Sequence, residues 1–256
     1  LTSKKIRLNI ENEISYANKI KSGLLEILFI NKDTSIQYKV IDNSLKFLSN
    51  NNKDRYTGIL DFKPFYLNVN FNYEGISTKN LFDEDSLFID LINSEILNNK
   101  NLNANFSLSV KDITNIDELN NLDLKVLIEE GEIIFSESKI MWKESLDVNL
   151  NDGSLLVNES GINLIGTMVL KFKDINNFYK SFQIPKKSRK DINEIKLDFI
   201  YNFNSKNIKF DNPKINGSQN QNLEKFLERS NSKDNSALNK IKFKNFINNF
   251  FRAYAG

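Results

Sequence analysis

The feature that most constrains this chain is an apolar alternation of period two that recurs from end to end. In "PFYLNVNFNYE", Pro64 to Glu74, the residues Phe65, Leu67, Val69, Phe71 and Tyr73 alternate with Tyr66, Asn68, Asn70, Asn72 and Glu74. Successive side chains of a strand point to opposite faces, so this segment predicts a strand with one greasy face and one amide-rich face. The pattern returns at Ile6–Ile10, Ile36–Val40, Phe106–Val110, Leu122–Ile128, Ile162–Phe172 and Ile195–Phe203. Turn chemistry separates these runs at Asp42-Asn43, Glu130-Gly131 and Ser160-Gly161. Asn151-Asp152-Gly153, between Leu150 and Leu155, reads as the clearest hairpin turn. Short connections favour antiparallel neighbours, so the expected fold is mainly β, an antiparallel sheet with few helices.

Those helices are recognisable by period 3.6. Ser86 to Asn98 carries a broad apolar arc that includes Leu87, Phe88, Leu91, Ile92 and Ile96. Asp174 to Phe182 opens on a capping Asp and aligns Ile175, Phe178, Tyr179 and Phe182 on one face. A short helix is expected over Asn222 to Arg229. In "NKIKFKNFINNFFRAY", Asn239 to Tyr254, the residues Phe243, Phe246, Ile247, Phe250, Phe251 and Tyr254 make a complete helical stripe decorated by Lys240, Lys242, Lys244 and Arg252. This helix reads as a cap over a sheet edge or groove mouth, or as a membrane-surface helix. The organisation is then a β-rich region over 1–215 with helices near 86–98 and 174–182, a polar linker with a short helix over 216–237, and an amphipathic C-terminal helix over 238–256.

Composition narrows the chemistry. With no His and no Cys, soft-metal sites, haem ligation and Cys or Ser–His nucleophile chemistry are excluded. A net charge of +2 gives no global basic field for nucleic acid. Asn is so abundant, alongside Lys and Ile, that AT-rich codon usage explains most of it. No glycine-rich phosphate loop or nucleophile elbow occurs, so no enzyme or cofactor is expected; no metal ligand is assigned, and a hard-cation site of Asp and Glu stays open. Asp83, Glu84 and Asp85 precede an expected helix N-terminus, where the dipole favours carboxylates. Glu129, Glu130 and Glu132 flank Gly131 as acids of an exposed turn. "PKKSRK", Pro185 to Lys190, is a basic run suited either to solvent or to anionic headgroups. The alternation also fits an outer-membrane barrel, but the amphipathic helices and irregular strand spacing argue against one. The chain begins at Leu1 without a signal peptide, which suggests a C-terminal portion of a longer protein with its targeting segment upstream.

One block, Phe88 to Glu144, has a recognisable order: a helix ending at "NKNLN", a strand with Leu102, Phe106, Leu108 and Val110, and a connecting segment with Ile113, Ile116 and Leu119. A hairpin with Leu122, Leu124, Val126, Gly131, Ile133 and Phe135 follows. It resembles the C-terminal region of AsmA-like proteins, the group that includes TamB- and YhdP-type envelope proteins. "INNFYKSFQIPKKSRK" and the final "FKNFINNFFRAYAG" are similar to the tail of alphaproteobacterial members. The resemblance implies a periplasmic protein anchored to the inner membrane upstream, with a long curved β-sheet groove of apolar interior that supports phospholipid traffic or outer-membrane assembly, among envelope proteins as possible partners. The expected acyl-chain contacts are Phe65, Leu67, Val69, Phe71, Tyr73, Phe106, Leu108, Leu197, Phe199 and Tyr201. The expected headgroup or membrane-surface contacts are Lys186, Lys187, Arg189, Lys190, Lys242, Lys244 and Arg252. The competing expectation is a closed β-sandwich module of the envelope that carries no lipid.

Overall fold

The computed structural model describes residues 7–11, 20–29, 32–49, 55–77, 97, 99–114, 116–158, 161–231 and 240–256. The helix expected over 86–98 and the acids Asp83, Glu84 and Asp85 lie outside these residues, apart from Leu97. The chain divides into two compact units, Leu1–Ile133 and Ile134–Gly256, at a point inside a strand where composition marks no break. Each unit is mainly β, as the alternation predicts.

The first unit holds β1 (Arg7–Glu11), β2 (Lys21–Phe29), β3 (Lys32–Ile41), β4 (Ser44–Ser49), β5 (Arg55–Phe62), β6 (Phe65–Ile76), β7 (Asn103–Ile113) and β8 (Leu119–Glu129), hydrogen-bonded in chain order. Two-residue turns join neighbours where the sequence offers the right chemistry: Asp42, with φ at 50°, turns β3 into β4. One pair departs from the antiparallel expectation. β6 and β7 run parallel, with Leu67 opposite Ala104, Val69 opposite Phe106 and Phe71 opposite Leu108. The physical reason is connection length: residues 77–102 are enough chain for the crossover that parallel neighbours require.

The second unit holds β9 (Glu132–Trp142), β10 (Leu146–Asn158), β11 (Gly161–Phe172), β12 (Glu194–Asn202), β13 (Asn207–Ile215) and the short β14 (Ser218–Gln219), again in chain order. Its helices are α1 (Ile175–Phe182), α2 (Gln221–Asn231) and α3 (Lys240–Ala255), with a 3-10 turn at Lys186–Ser188. α1 starts where expected: the Asp174 carboxylate accepts from the Asn177 N–H at 2.9 Å. It stops at Gln183, whose left-handed backbone lets its N–H reach the Lys180 carbonyl and that of Ile184 the Tyr179 carbonyl.

Asn151-Asp152-Gly153 is not a hairpin. It sits inside β10 as a bulge, with a register shift against β11 between Asn151 and Ser154 and with Asp152 at φ 50°. Gly153 is buried, and a Cβ built on Gly166 across the ladder would lie 3.0 Å from the Gly153 Cα. Two glycines let the backbones approach at the bulge, so the strand bends and continues.

α2 is docked on β13 through buried Leu223 and Leu227. At its end the Asn231 amide accepts from the Phe210 N–H at 3.1 Å and donates to the Phe210 carbonyl at 2.9 Å. That side chain satisfies both backbone groups of one residue on the outer edge of β13.

Candidate functional site

The registers of the first unit set apolar residues in rows that run across strands. Val40, Leu45, Leu60, Leu67, Ala104 and Ile128 form one row over β3 to β8. Tyr38, Phe47, Gly58, Val69, Phe106 and Val126 form the next. Tyr56, Phe71, Leu108 and Leu124 form a third over β5 to β8, and Tyr73, Val110 and Leu122 extend it. Cross-strand partners share a face, so the expected contacts Phe65, Leu67, Val69, Phe71, Tyr73, Phe106 and Leu108 all lie on one apolar face. At about 4.8 Å per strand, six strands span roughly 24 Å. That exceeds the half-thickness of a bilayer's hydrocarbon core, about 15 Å.

Exposure varies over this face. Val69, expected to touch lipid, is 4% exposed and touches protein instead; Tyr56, Ala104, Val110 and Ile128 are buried with it, and Leu67, Phe71, Tyr73, Phe106 and Leu108 are half-buried. Phe62 and Phe65 stand exposed at one end, 45% and 39% accessible. The Tyr56 ring meets Phe71 and Tyr73 edge-on, with centroids 5.6 and 5.3 Å away. Next to them, glycines make room for rings: a Cβ on Gly58 would lie 2.2 Å from the Phe47 Cζ, and one on Gly23 would lie 2.6 Å from the Tyr38 hydroxyl. Among the described residues the first unit contains no α-helix. The reverse face carries Asn68, Asn70, Asn72, Asn105, Ser107 and Ser109, and the Ser109 hydroxyl donates to Asp123 at 2.8 Å.

Sequence reasoning did not join Tyr38, Phe47, Tyr56, Leu60 and Phe62 to this site. β4 and β5 are short, Gly58 interrupts the alternation of β5, and the run Ile36–Val40 that holds Tyr38 carries no local sign of which strands it joins.

In the second unit a similar face is sealed. Leu146, Ile195, Leu197, Phe199, Phe210 and Ile215 from the sheet form one core with Phe178, Tyr179 and Phe182 of α1, Leu223 and Leu227 of α2, and Phe250 and Phe251 of α3. Leu197 and Phe199, expected to touch lipid, are 5% and 7% exposed and touch protein instead. The helices supply the apolar complement that burial demands. Tyr201 is half-buried at the margin, edge-on to Phe203 at 4.9 Å. What closes the sheet is helix, not the second sheet of a sandwich, and the C-terminal helix is a cap, as its stripe predicts.

The expected headgroup residues divide in the same way. Lys186, Lys187, Lys190, Lys242 and Arg252 are exposed, whereas Lys244 and Arg189 are half-buried. Arg189 is partly committed: its Nε donates to the Ile184 carbonyl at 2.9 Å, and its guanidinium lies 6.0 Å from the Tyr179 ring. The Tyr179 hydroxyl donates to the Lys190 carbonyl at 2.7 Å, and burial raises its pKa above the ordinary tyrosine value. Glu129, Glu130 and Glu132 are exposed around their turn, as expected.

Asp198, on the polar face of β12, has its pKa lowered chiefly by the hydrogen bond from Asn212 Nδ2, 2.8 Å, and further by that from Thr167 Oγ1, 2.7 Å. A depressed folded pKa contributes stability above the unfolded value that is lost as pH falls through the folded one. Urea midpoints of the native chain are therefore expected to fall more steeply below about pH 4 than those of Asp198→Asn. Parallel acid limbs would refute this.

Among the described residues no cluster of His, Cys, Asp or Glu is arranged to hold a metal ion, and no helix is long and apolar enough to cross a membrane, which says nothing of strands. Comparison with protein-family models, with curated proteins and with solved structures returned no match to this chain.

Proposed function

We propose that the first unit is a non-enzymatic lipid-handling sheet of an AsmA-like envelope protein, which lays phospholipid acyl chains along its apolar face in the periplasm. The observation that carries the reading is the set of apolar rows over β3 to β8, with half-buried Leu67, Phe71, Phe106 and Leu108 in them and exposed Phe62 and Phe65 at one end. Acyl burial is non-directional and contributes about 0.8 kcal/mol per CH₂, so a chain is held without a fixed register and slides at little cost. Large apolar patches on proteins mark interaction sites. The reverse face is amide-rich over β6 and β7, and Leu48, Ile59 and Tyr66 stand exposed on it.

The test is organic extraction of the purified chain followed by mass spectrometry. Phospholipid is expected in the native extract and should drop several-fold in the double variant Phe62→Glu/Phe65→Glu. Both residues are exposed, so circular dichroism should be unchanged. A lipid-free native extract, or an extract indifferent to the substitutions, would sink the reading. It would leave the second one, an envelope structural module, which the helix-sealed core of the second unit favours for that unit.

A further inference from the structure

We infer that the second unit carries a docking surface for an anionic lipid bilayer, built from the 3-10 turn after α1 and the first turns of α3. The two segments are distant in sequence, yet α3 packs against the Lys186–Ser188 turn. The Asn248 side chain fastens them. Its Nδ2 donates to the Phe182 carbonyl at the end of α1, 2.8 Å, and to the Lys244 carbonyl one turn back, 3.1 Å. The turn of α3 that holds Lys244 is thereby set at the point where the chain leaves α1 toward Lys186 and Lys187.

The charge on this surface is predominantly positive. Between Lys180 and Asn193 the chain has five Lys or Arg and a single acid, Asp191, and from Lys240 to Ala255 it has no acid at all. Lys186, Lys187 and Lys242 are exposed. Phe243, between Lys242 and Lys244, is 40% exposed although every other aromatic residue of α3 is buried or half-buried. Its ring leans on Phe182, with centroids 6.0 Å apart. One exposed phenylalanine is ordinary. Set among lysines on an amphipathic helix, it matches the interfacial anchor of a helix lying on a bilayer, ring toward the acyl boundary and ammonium groups toward phosphates. A nucleic-acid reading lacks support, since bases need successive aromatic platforms and the surface offers one ring.

The inference does not rest on the acyl-binding face of the first unit, and the experiment separates them. The full chain is sedimented with phosphatidylcholine vesicles, with or without phosphatidylglycerol, at low salt. Binding is expected to the mixed vesicles alone. Each cation near an anionic surface strengthens adsorption about fivefold, so Lys186→Glu/Lys187→Glu should weaken binding at least about 25-fold. Phe243→Ser should weaken it by about threefold to tenfold. Phe62→Glu/Phe65→Glu should leave it unchanged. The inference is overturned by equal binding to neutral vesicles, by indifference to the lysine reversals, by loss of binding in Phe62→Glu/Phe65→Glu, or by full displacement from vesicles by a single-stranded oligonucleotide at equal charge. Far-ultraviolet spectra of all the variants should match the native one, because the substituted residues are exposed.

Discussion

Phe251→Ala is expected to destabilise the second unit by about 3–5 kcal/mol, a large share of what a domain possesses. Phe251 is 1% exposed and contributes to the seam between α3 and α1. Its ring meets Tyr179 edge-on at 5.2 Å and lies 5.9 Å from Phe178 and 5.6 Å from Phe250. Truncation removes the transferred area, leaves a ring-sized cavity among residues fixed on two helices, and forfeits the aromatic contacts as well. The chain has a single tryptophan, Trp142, 5.3 Å from the Phe182 ring. Its fluorescence in urea therefore reports on this unit. Phe243→Ala, on the same helix but exposed, should cost less than about 1 kcal/mol. Equal midpoints for the two variants would mean that α3 does not seal the core.

Gly58→Ala is expected to cost about 1–3 kcal/mol although it adds one methyl group. The new carbon would lie 2.2 Å from Phe47 Cζ and 2.8 Å from the Asn68 carbonyl oxygen. The ring can swing away, but the carbonyl belongs to the β5–β6 ladder and cannot. Phe47→Ala should relieve the first clash and not the second. The double variant is then expected to be more stable than the sum of the singles by about 1–2 kcal/mol while staying below Phe47→Ala alone. Strict additivity in urea titrations would show that the ring and the glycine are not packed as described.

How far the sequence discloses this molecule depends on the scale of the question. The alternation at Phe65–Tyr73, Phe106–Val110 and Ile195–Phe203 places β6, β7 and β12, because period two is a local property of the backbone. α1 is equally legible from the Asp174 cap and its four-residue stripe. What is not local is lost. Asn151-Asp152-Gly153 has the chemistry of a tight turn, and the same positive φ at Asp152 serves a bulge; only the partner strand, with Gly166 opposite, decides between them. The parallel pairing of β6 with β7 is allowed by the length of the connection between them and announced by no local pattern. The candidate site shows the same limit. Phe65 and Leu197 sit in equally alternating strands, yet Phe65 is 39% exposed and Leu197 belongs to a core shared with three helices whose docking surfaces are written elsewhere in the chain. Alternation tells which side of a strand is apolar and is silent about what rests on it.

The Asn231 amide on β13 has a consequence beyond fastening α2. Two-residue β14 pairs only with Lys214 and Ile215, so much of the outer side of β13 would otherwise offer its peptide groups to a strand from another molecule. Asn231 occupies both groups of Phe210 near the middle of that edge, and the helix that carries it packs on the same strand. A protein rich in strands and amides is at risk of fibrillar growth. Here one asparagine acts as a stop, and self-templated stacking has no uninterrupted run along β13 on which to begin.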